Sequence, residues 1–426
     1  MASSSNQRAL GGATSPSGGR LGPICSPFRR RDGAIHESTA WHRAMKIAQV
    51  QPFEAIAISR VAHDLAEQGL DVIHMEFGQP STSAPAAAIA EAHRVLDAEA
   101  MGYWESNALK DRIARYYAEA HGVAVDREQV ILTCGASPAF VLALSCLFAP
   151  GARVALARPG YVAYRNTLRA LYLEPVELAC GEAERYQVTA AALAALDPAP
   201  DGLIIASPAN PTGTIIPADE LAAIARVCRE RGIRIISDEI YHGLSFGAPA
   251  ASMLEHMADA FVVNSFSKYY SMPGWRLGWA VVPRDAIAAA RARMGNLFLT
   301  PPVIAQRAGL VAFDCRAELE EHRETYARNR ELMLAALPAL GLSHVAPPDG
   351  AFYLYADIGH LTADSVAFCT DLLRDTGVCT APGVDFDPVD GRRFIRFSFA
   401  VSTEEVRTAI ARMVPWFAAR TAAALG

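Results

Sequence analysis

The sequence predicts an α/β protein: a large domain with a mostly parallel sheet flanked by helices, followed by a smaller α+β domain. Three observations support this. Short apolar runs alternate with helical patterns from about residue 130 onward. A charged helical stretch at 316–337 then leads to a region with a different arrangement of strands and helices. The chain has 426 residues, which is enough for two domains with large buried cores.

The elements of the large domain follow in order along the chain. Strand candidates are the apolar runs at 130–135, 153–157, 203–207, 233–238 and 260–266. A helical pattern follows the first run, and ADELAAIARVCRERG, at 218–232, is amphipathic at helical spacing. Strands that alternate with helices favour a parallel sheet covered on both faces, and such sheets bind ligands at the carboxyl ends of their strands.

The smaller domain is predicted from strand candidates at 352–358 and 393–400, accompanied by helical patterns at 363–375 and 403–422. The segment before residue 96 precedes the regular alternation, so we assign it partly to this domain. The expected organisation is a disordered N-terminal tail at 1–44, an N-terminal arm and part of the small domain at 45–95, the large domain at 96–315 and the C-terminal small domain at 316–426.

The tail is rich in Ser, Gly and Pro and shows no periodicity, which predicts disorder. It lacks the apolar core of a secretory signal, and its glycines and prolines interrupt the amphipathic helix of an organelle transit peptide. We expect it to be an adventitious addition, with the natural chain beginning near Met45.

Composition excludes several classes of protein. The formal net charge of -6 provides no basic field for nucleic acid. No apolar run approaches the roughly 20 residues of a membrane-spanning helix. The eight cysteines have no CxxC spacing, which disfavours disulfide and zinc frameworks and favours a reducing compartment. We therefore expect a cytoplasmic protein that binds neither nucleic acid nor a metal nor a membrane.

Polar residues follow three of the predicted strands. Gly135-Ala136-Ser137-Pro138 begins a helix whose free N–H groups suit an anion, with Ser137 as the expected N-cap; the alternative is a plain turn. Asn210, in the rigid loop SPANPTG, could present its amide to a ligand or serve only as a turn asparagine. Asp238 ends an apolar strand, where a buried carboxylate needs a cationic partner unless it caps a helix.

Lys268 stands out because the chain avoids lysine. Of 39 basic residues, only Lys46, Lys110 and Lys268 are not arginine. An amine near apolar and aromatic side chains loses its proton more readily and can attack a carbonyl to form a Schiff base. The alternative is a surface lysine, which this scarcity disfavours.

Three motifs, in this order and spacing, resemble the class I/II (fold-type I) aminotransferases, which use pyridoxal 5′-phosphate (PLP): SPANPTG at 207–213, SDEIY at 237–241 and SFSKYYSMPGWRLGW at 265–279. The resemblance runs from about Val50 to the C-terminus. It implies that the domain at 96–315 binds PLP.

The resemblance also implies roles for individual residues in cofactor binding. Lys268 would hold PLP as a Schiff base and act as the catalytic acid and base. Asp238 would pair with the pyridinium nitrogen. The remaining contacts would be to the ring oxygen from Asn210 and Tyr241, to the phosphate from Ser265, Arg276 and the backbone of Ala136 and Ser137, and to the ring face from Tyr161.

For the substrate, the resemblance implies that Arg396 grips the α-carboxylate, with Asn210 and the backbone of Gly78 beside it. Tyr103 matches a residue that reaches the phosphate of the neighbouring subunit, which implies a homodimer. This sequence departs from the family there: Tyr103-Trp104-Glu105-Ser106 runs almost directly into the helix, because the usual glycine-containing loop is several residues shorter.

The implied function is transfer of the amino group of an L-amino acid to a 2-oxo acid. β-Elimination by a PLP-dependent C–S lyase on the same scaffold is the alternative, since both reactions begin with the same carbanion. A PLP-sensing transcription regulator would need a DNA-binding module, which the tail cannot supply. The stretch NLFLTPPVIAQ, at 296–306, lacks the second arginine of one dicarboxylate-specific subgroup and favours aliphatic or aromatic substrates.

Overall fold

A computed structural model describes residues 50–425, so the predicted tail at 1–44 lies outside the described residues. In the described part, the large sheet has seven strands in the order β2-β8-β7-β6-β5-β3-β4. Its strands are β2 (Val130–Thr133), β3 (Arg153–Arg158), β4 (Glu174–Ala179), β5 (Gly202–Ala206), β6 (Arg234–Asp238), β7 (Phe261–Ser265) and β8 (Gly278–Val281).

The pairings from β7 through β6, β5 and β3 to β4 are parallel, and only β8 runs antiparallel to its neighbours β7 and β2. This confirms the predicted mostly parallel sheet. Two of its strands, β4 and β8, were not predicted. The sequence of β4 is EPVELA, in which charged residues and a proline replace the apolar run, and β8 is the short segment GWAV inside the lysine motif.

Alternate strand residues contact two separate apolar clusters, as expected for a sheet covered on both faces. Leu203 and Ile205 face one cluster, and Ile204 faces the other. One face packs on α2 (Ala86–Ala98), α3 (Asn107–His121), α7 (Ala218–Arg231) and α9 (Val303–Ala312). The other packs on α4 (Ala136–Leu147), α5 (Val162–Ala170) and α8 (Ile287–Leu297). The short helix α6 (Ala190–Ala194) precedes β5.

The C-terminal region forms a smaller α+β arrangement, as predicted. An antiparallel three-stranded sheet has the order β11-β12-β9, and a separate parallel pair joins β1 to β10. Its elements are α1 (Glu54–Glu67), β1 (Ile73–His74), α10 (Arg316–Ala336), β9 (Tyr353–Asp357), α11 (Ser365–Thr376), β10 (Val378–Cys379), β11 (Ala381–Pro382), β12 (Phe394–Ser398) and α12 (Thr403–Leu425).

The N-terminal elements divide between the two regions. Helix α1 and strand β1 contact the C-terminal strands, whereas α2 packs against α9 beside the large sheet. The predicted domain boundaries at 45–95, 96–315 and 316–426 stay a prediction. Over residues 50–425, the helices are all too short or too polar to cross a membrane.

Candidate active site

The predicted polar residues converge at the carboxyl ends of three adjacent parallel strands. The loop carrying Asn210 follows β5, Asp238 ends β6 and Ser265 ends β7. Residue 238 pairs with Ala206 on one side and with Val263 on the other. Adjacent parallel strands place such residues side by side, so the register of the sheet assembles one site from segments distant in sequence.

Lys268 lies three residues after β7, and its Nζ donates a hydrogen bond to the carbonyl oxygen of Gly78. The rings of Tyr241 and Phe352 lie 5.9 Å from this nitrogen. Burial, with a further contribution from the charge of Arg396, lowers the pKa of the Lys268 amine to about 8, and the carboxylate of Asp238 opposes this shift. The amine therefore gives up its proton far more readily than an exposed lysine.

Asp238 is 4% exposed. A cationic partner was expected for a carboxylate buried to this extent, but its hydrogen-bond donors are a tyrosine hydroxyl and a backbone N–H. Tyr164 Oη donates to its Oδ2, and the backbone N–H of Ile240 donates to its Oδ1 at 3.1 Å. Burial raises the pKa of Asp238 to about 6, and the Tyr164 and Ile240 hydrogen bonds, with the charge of Lys268, pull it back. The site thus holds a buried carboxylate that ionises close to neutral pH.

Arg276 and the start of α4 form a cationic corner of the site. Helix α4 begins at Ala136 with Gly135 as its N-cap, so the expectation that Ser137 is the cap is wrong. Gly135 has φ 93°, and a Cβ there would lie 2.5 Å from Arg276 Nη2. Because the first N–H groups of a helix have no intrahelical acceptor, Ala136 and Ser137 present theirs beside this guanidinium.

Ser265 is buried next to the same corner. Its Oγ lies 3.2 Å from the carbonyl oxygen of Leu277 and 2.8 Å from Ser267 Oγ, so its single proton goes to one of the two, and it accepts the N–H of Ser267 at 2.9 Å. A phosphate that took this hydroxyl would replace one of these internal bonds. Ser267, which sequence analysis passed over, is the hydroxyl linked most directly to it.

Arg396, on β12, is only 2% exposed. Its Nη1 donates to Asn210 Oδ1 at 2.8 Å, and its Nη2 donates to the backbone carbonyl of Glu76. The guanidinium lies 4.5 Å from the ring of Tyr353 and 4.7 Å from that of Phe386. Its Nε is buried and has no hydrogen-bond partner among residues 50–425. A buried arginine that still has donor capacity suits an incoming carboxylate.

Tyr241 and Gly78 meet at a second tyrosine that sequence analysis missed. The hydroxyls of Tyr241 and Tyr353 are 2.6 Å apart. Gly78 approaches Tyr353 so closely that a Cβ would overlap the phenol oxygen. Glycine is therefore required at residue 78 for close packing, and its carbonyl remains free to accept from Lys268.

The two remaining predicted residues differ in their surroundings. Tyr161 is partly buried, with its ring 5.4 Å from that of Tyr164, which lies three residues on along α5. Tyr103 is 84% exposed and makes no side-chain hydrogen bond within the described chain. The structure brings Tyr161 to the site and leaves Tyr103 outside it.

This arrangement fits PLP. The cationic corner suits a phosphate, the buried carboxylate of Asp238 suits a protonated ring nitrogen, and the amine of Lys268 suits an aldehyde. The unsatisfied Nε of Arg396 leaves a further place for a carboxylate at the same site.

Comparison with known proteins agrees with this chemistry. The sequence pattern of the family "Aminotransferase class I and II" matches residues 71–413. The chain belongs to this family. The family is PLP-dependent and the relatives found by sequence are aminotransferases, so this chain is an aminotransferase that uses PLP and moves an amino group from an amino acid to a 2-oxo acid.

Individual relatives of the aminotransferase were found both by sequence and by structure. A valine–pyruvate aminotransferase of Mycobacterium tuberculosis is 45% identical over 87% of this chain and 97% of its own. An aspartate aminotransferase of Geobacillus stearothermophilus is 30% identical over 88% of this chain and 99% of its own. The crystal structure of an aminotransferase from Mycobacterium tuberculosis superposes with a TM-score of 0.86 at 44% identity, covering 88% of this chain and 99% of that one.

Proposed function

We propose that this aminotransferase transfers the amino group of a neutral aliphatic L-amino acid, such as valine, to pyruvate. The observation that carries the proposal is the set of charged groups around Lys268. Those that influence its pKa are Arg396, Asp238 and Arg276. Arg396 would bind the substrate α-carboxylate, Asp238 the nitrogen of the cofactor ring and Arg276 the cofactor phosphate. No cation of this set is left to hold a carboxylate on the substrate side chain.

Two further features support a neutral side chain. The rings of Tyr353 and Phe386 flank the guanidinium of Arg396. A substrate whose α-carboxylate binds this arginine would therefore lie beside apolar ring surface. The relative at 45% identity is named for valine and pyruvate, whereas the aspartate aminotransferase shares 30%. The segment 296–306 also offers no arginine. The preference for aliphatic or aromatic substrates that this apolar stretch indicates stays a prediction.

In this proposal Arg396 binds and orients the substrate. A two-point contact with the α-carboxylate fixes the rotation of the substrate about Cα, so that one chosen bond is broken. Asn210 holds Nη1 of Arg396, and the carbonyl of Glu76 holds Nη2. The conformation of the arginine is therefore set before the substrate arrives.

Lys268 moves the proton. PLP, when bound, accepts the electron pair left at Cα and so makes that carbon acidic. The Lys268 amine, with a pKa lowered to about 8 by burial, is present in part as the neutral base near neutral pH. Its position beside the carbonyl of Gly78 keeps the nitrogen within the substrate pocket.

Asp238 supplies a fixed negative charge for the ring nitrogen, with Tyr164 and Ile240 orienting its two oxygens. Arg276, Ser265 and the N-terminus of α4 would bind the phosphate, and Asn210 and Tyr241 the ring oxygen. Tyr161 would lie against the ring. These roles extend the predicted assignments to named atoms.

The test is a panel of amino donors with pyruvate as acceptor. Alanine formation should be efficient with valine and other aliphatic donors and at least about tenfold slower with aspartate, because an ionised side chain finds no partner. Lys268→Ala should abolish transfer. Acceptor-independent release of pyruvate and ammonia from a sulfur amino acid, without amino transfer, would instead favour the C–S lyase. Preference for aspartate would overturn the proposal.

We also propose that the enzyme is a cytoplasmic homodimer. The family resemblance supports the dimer, and so does the exposure of Tyr103 (84%), Met101 (48%) and Trp104 (40%) in one short segment. Light scattering after gel filtration should give twice the mass of the chain. Replacing Tyr103 by Ser should weaken PLP retention only in the dimer, and a monomer with full activity would contradict the proposal.

A further inference from the structure

Tyr353 lies at the start of β9, and its side chain is fully buried. Its ring flanks the guanidinium of Arg396 at 4.5 Å. Its phenol oxygen lies so close to the backbone of Gly78 that a Cβ there would overlap it, and its own backbone pairs with Ser398 on β12. These contacts fix the position of the hydroxyl before any ligand binds.

The Tyr353 hydroxyl has one hydrogen-bond partner among residues 50–425, the hydroxyl of Tyr241 at 2.6 Å. Tyr241 Oη likewise has no second partner in this part of the chain. Two hydroxyls that face each other hold one proton between their oxygens, so the other proton is free for a different acceptor. The direction of this hydrogen bond therefore decides which tyrosine presents a free O–H to a ligand.

The surroundings of the two phenols favour donation from Tyr353 to Tyr241. Burial raises the pKa of Tyr353 to about 12, and the positive charge of Arg396 limits this rise. Burial and the neighbouring Tyr353 raise the pKa of Tyr241 well above its ordinary value. Tyr353 is thus the more acidic phenol and the better donor, which leaves the proton of Tyr241 free.

Tyr241 and Asn210 are the two residues proposed to bind the ring oxygen of PLP, and each is in contact with a further residue. Asn210 Oδ1 accepts from Arg396 Nη1 at 2.8 Å, so the amide N–H groups of Asn210 remain available as donors. A hydrogen bond from Tyr353 would do the same for Tyr241, because it occupies the acceptor side of that hydroxyl. Both residues would then present a donor to the same oxygen.

We infer that Tyr353 is a positioning residue for the reaction: its hydroxyl donates to Tyr241 and so directs the proton of Tyr241 to the ring oxygen of the cofactor. The inference rests on the proposed role of Tyr241. Donation from Tyr353 also polarises the O–H of Tyr241 and strengthens the hydrogen bond that Tyr241 donates, since hydrogen bonds in a chain reinforce one another.

The experiment is a pH titration of the absorbance of PLP bound to the enzyme. A donor at the ring oxygen stabilises the form in which this oxygen carries its full negative charge, which is the form that has lost the proton. Tyr353→Phe should therefore move the transition to higher pH, by about 0.5–1 unit for the loss of one hydrogen bond. In steady-state kinetics kcat should fall while KM for valine stays the same, because the ring beside Arg396 is retained.

Tyr355→Phe is the matched control. Tyr355 lies two residues further along β9, is 1% exposed and has a buried hydroxyl with no hydrogen-bond partner among residues 50–425. This substitution removes the same atom from the same strand at equal burial. It should leave the titration of the bound cofactor unchanged, so a shift in Tyr355→Phe as large as that in Tyr353→Phe would overturn the inference.

Two further variants separate this inference from the proposed role of Tyr241. Tyr241→Phe should move the transition at least as far as Tyr353→Phe does, and the double variant should match Tyr241→Phe alone, because Tyr353 acts through Tyr241. A shift in Tyr241→Phe with none in Tyr353→Phe, or shifts that add in the double variant, would overturn the inference alone. The absence of a shift in Tyr241→Phe would overturn the role of Tyr241 and the inference with it.

Discussion

Tyr164 donates a hydrogen bond to the buried carboxylate of Asp238. The pair joins the first turn of α5 to the end of β6. Its hydrogen bond opposes the effect of burial, which alone would keep the carboxyl protonated up to higher pH. We expect Tyr164→Phe to raise the pKa of Asp238 further. Since the site needs the ionised form, kcat should fall by about 10-fold or more, given the roughly 1.5–3 kcal/mol of a hydrogen bond to a charged group.

The measurement for Tyr164→Phe is the dependence of kcat on pH. The acid limb of the profile should move to higher pH in the variant. Tyr172→Phe, at a 60% exposed tyrosine, is the control and should leave the profile unchanged. An unshifted acid limb in Tyr164→Phe would show that this hydrogen bond does not set the charge of Asp238.

Gly135→Ala tests the cationic corner. The added methyl group would meet Arg276 Nη2 at 2.5 Å, and φ 93° strains any L side chain. We expect the dissociation constant for PLP to rise about tenfold or more, as displacing one charge-assisted contact implies. The matched control is Gly151→Ala, which has a similar φ of 87° and nothing within 4 Å of the new methyl. Equal PLP affinities in the two variants would contradict the assignment of Arg276 to the phosphate.

The pKa of Lys268 predicts how PLP attachment depends on pH. Only the neutral amine attacks an aldehyde, so the rate of covalent attachment to cofactor-free enzyme should rise with pH and level off above about 8. Because the charge of Arg396 helps to lower this pKa, Arg396→Gln should move the inflection to higher pH. Stopped-flow absorbance at several pH values measures it. An inflection near the value of about 10.4 for a free lysine would show that burial does not act on this amine.

Arg396→Gln should also impair catalysis through the substrate carboxylate. We expect kcat/KM for valine to fall by about 10²–10³-fold, mainly through KM, as loss of a two-point charged contact implies. The neighbouring exposed Arg392→Gln is the matched control. Steady-state kinetics should measure kcat/KM for valine in both variants. A similar fall in kcat/KM in Arg392→Gln would indicate a nonspecific effect of charge.

Sequence reasoning found the fold because its signals are local. The apolar runs of β5, β6 and β7 are buried on both faces, and the helix α7 is amphipathic and ends at Gly232 in the left-handed conformation. Strand β4 was not predicted because it lies at the edge of the sheet, where glutamates are tolerated, and these glutamates interrupt the apolar pattern of a strand.

Site residues that lie in a sequence motif could be predicted from the sequence, whereas residues that reach the site only through tertiary packing could not. Lys268 and Asp238 lie in compact motifs. Tyr164 and Tyr353 reach the site only because α5 and β9 pack against it, and Arg396 meets Asn210 across 186 residues of sequence. Tyr164 had one usable signal, its position three residues after Tyr161, which places both on one helix face. No local pattern pointed to Tyr353.

The central claim, that Lys268 is the residue that binds PLP covalently, is tested most directly by chemical trapping. Borohydride reduction of the PLP-loaded enzyme, proteolysis and mass spectrometry should find the phosphopyridoxyl group on the peptide containing Lys268. The label on Lys46 or Lys110, or no label in protein that remains active, would contradict the account.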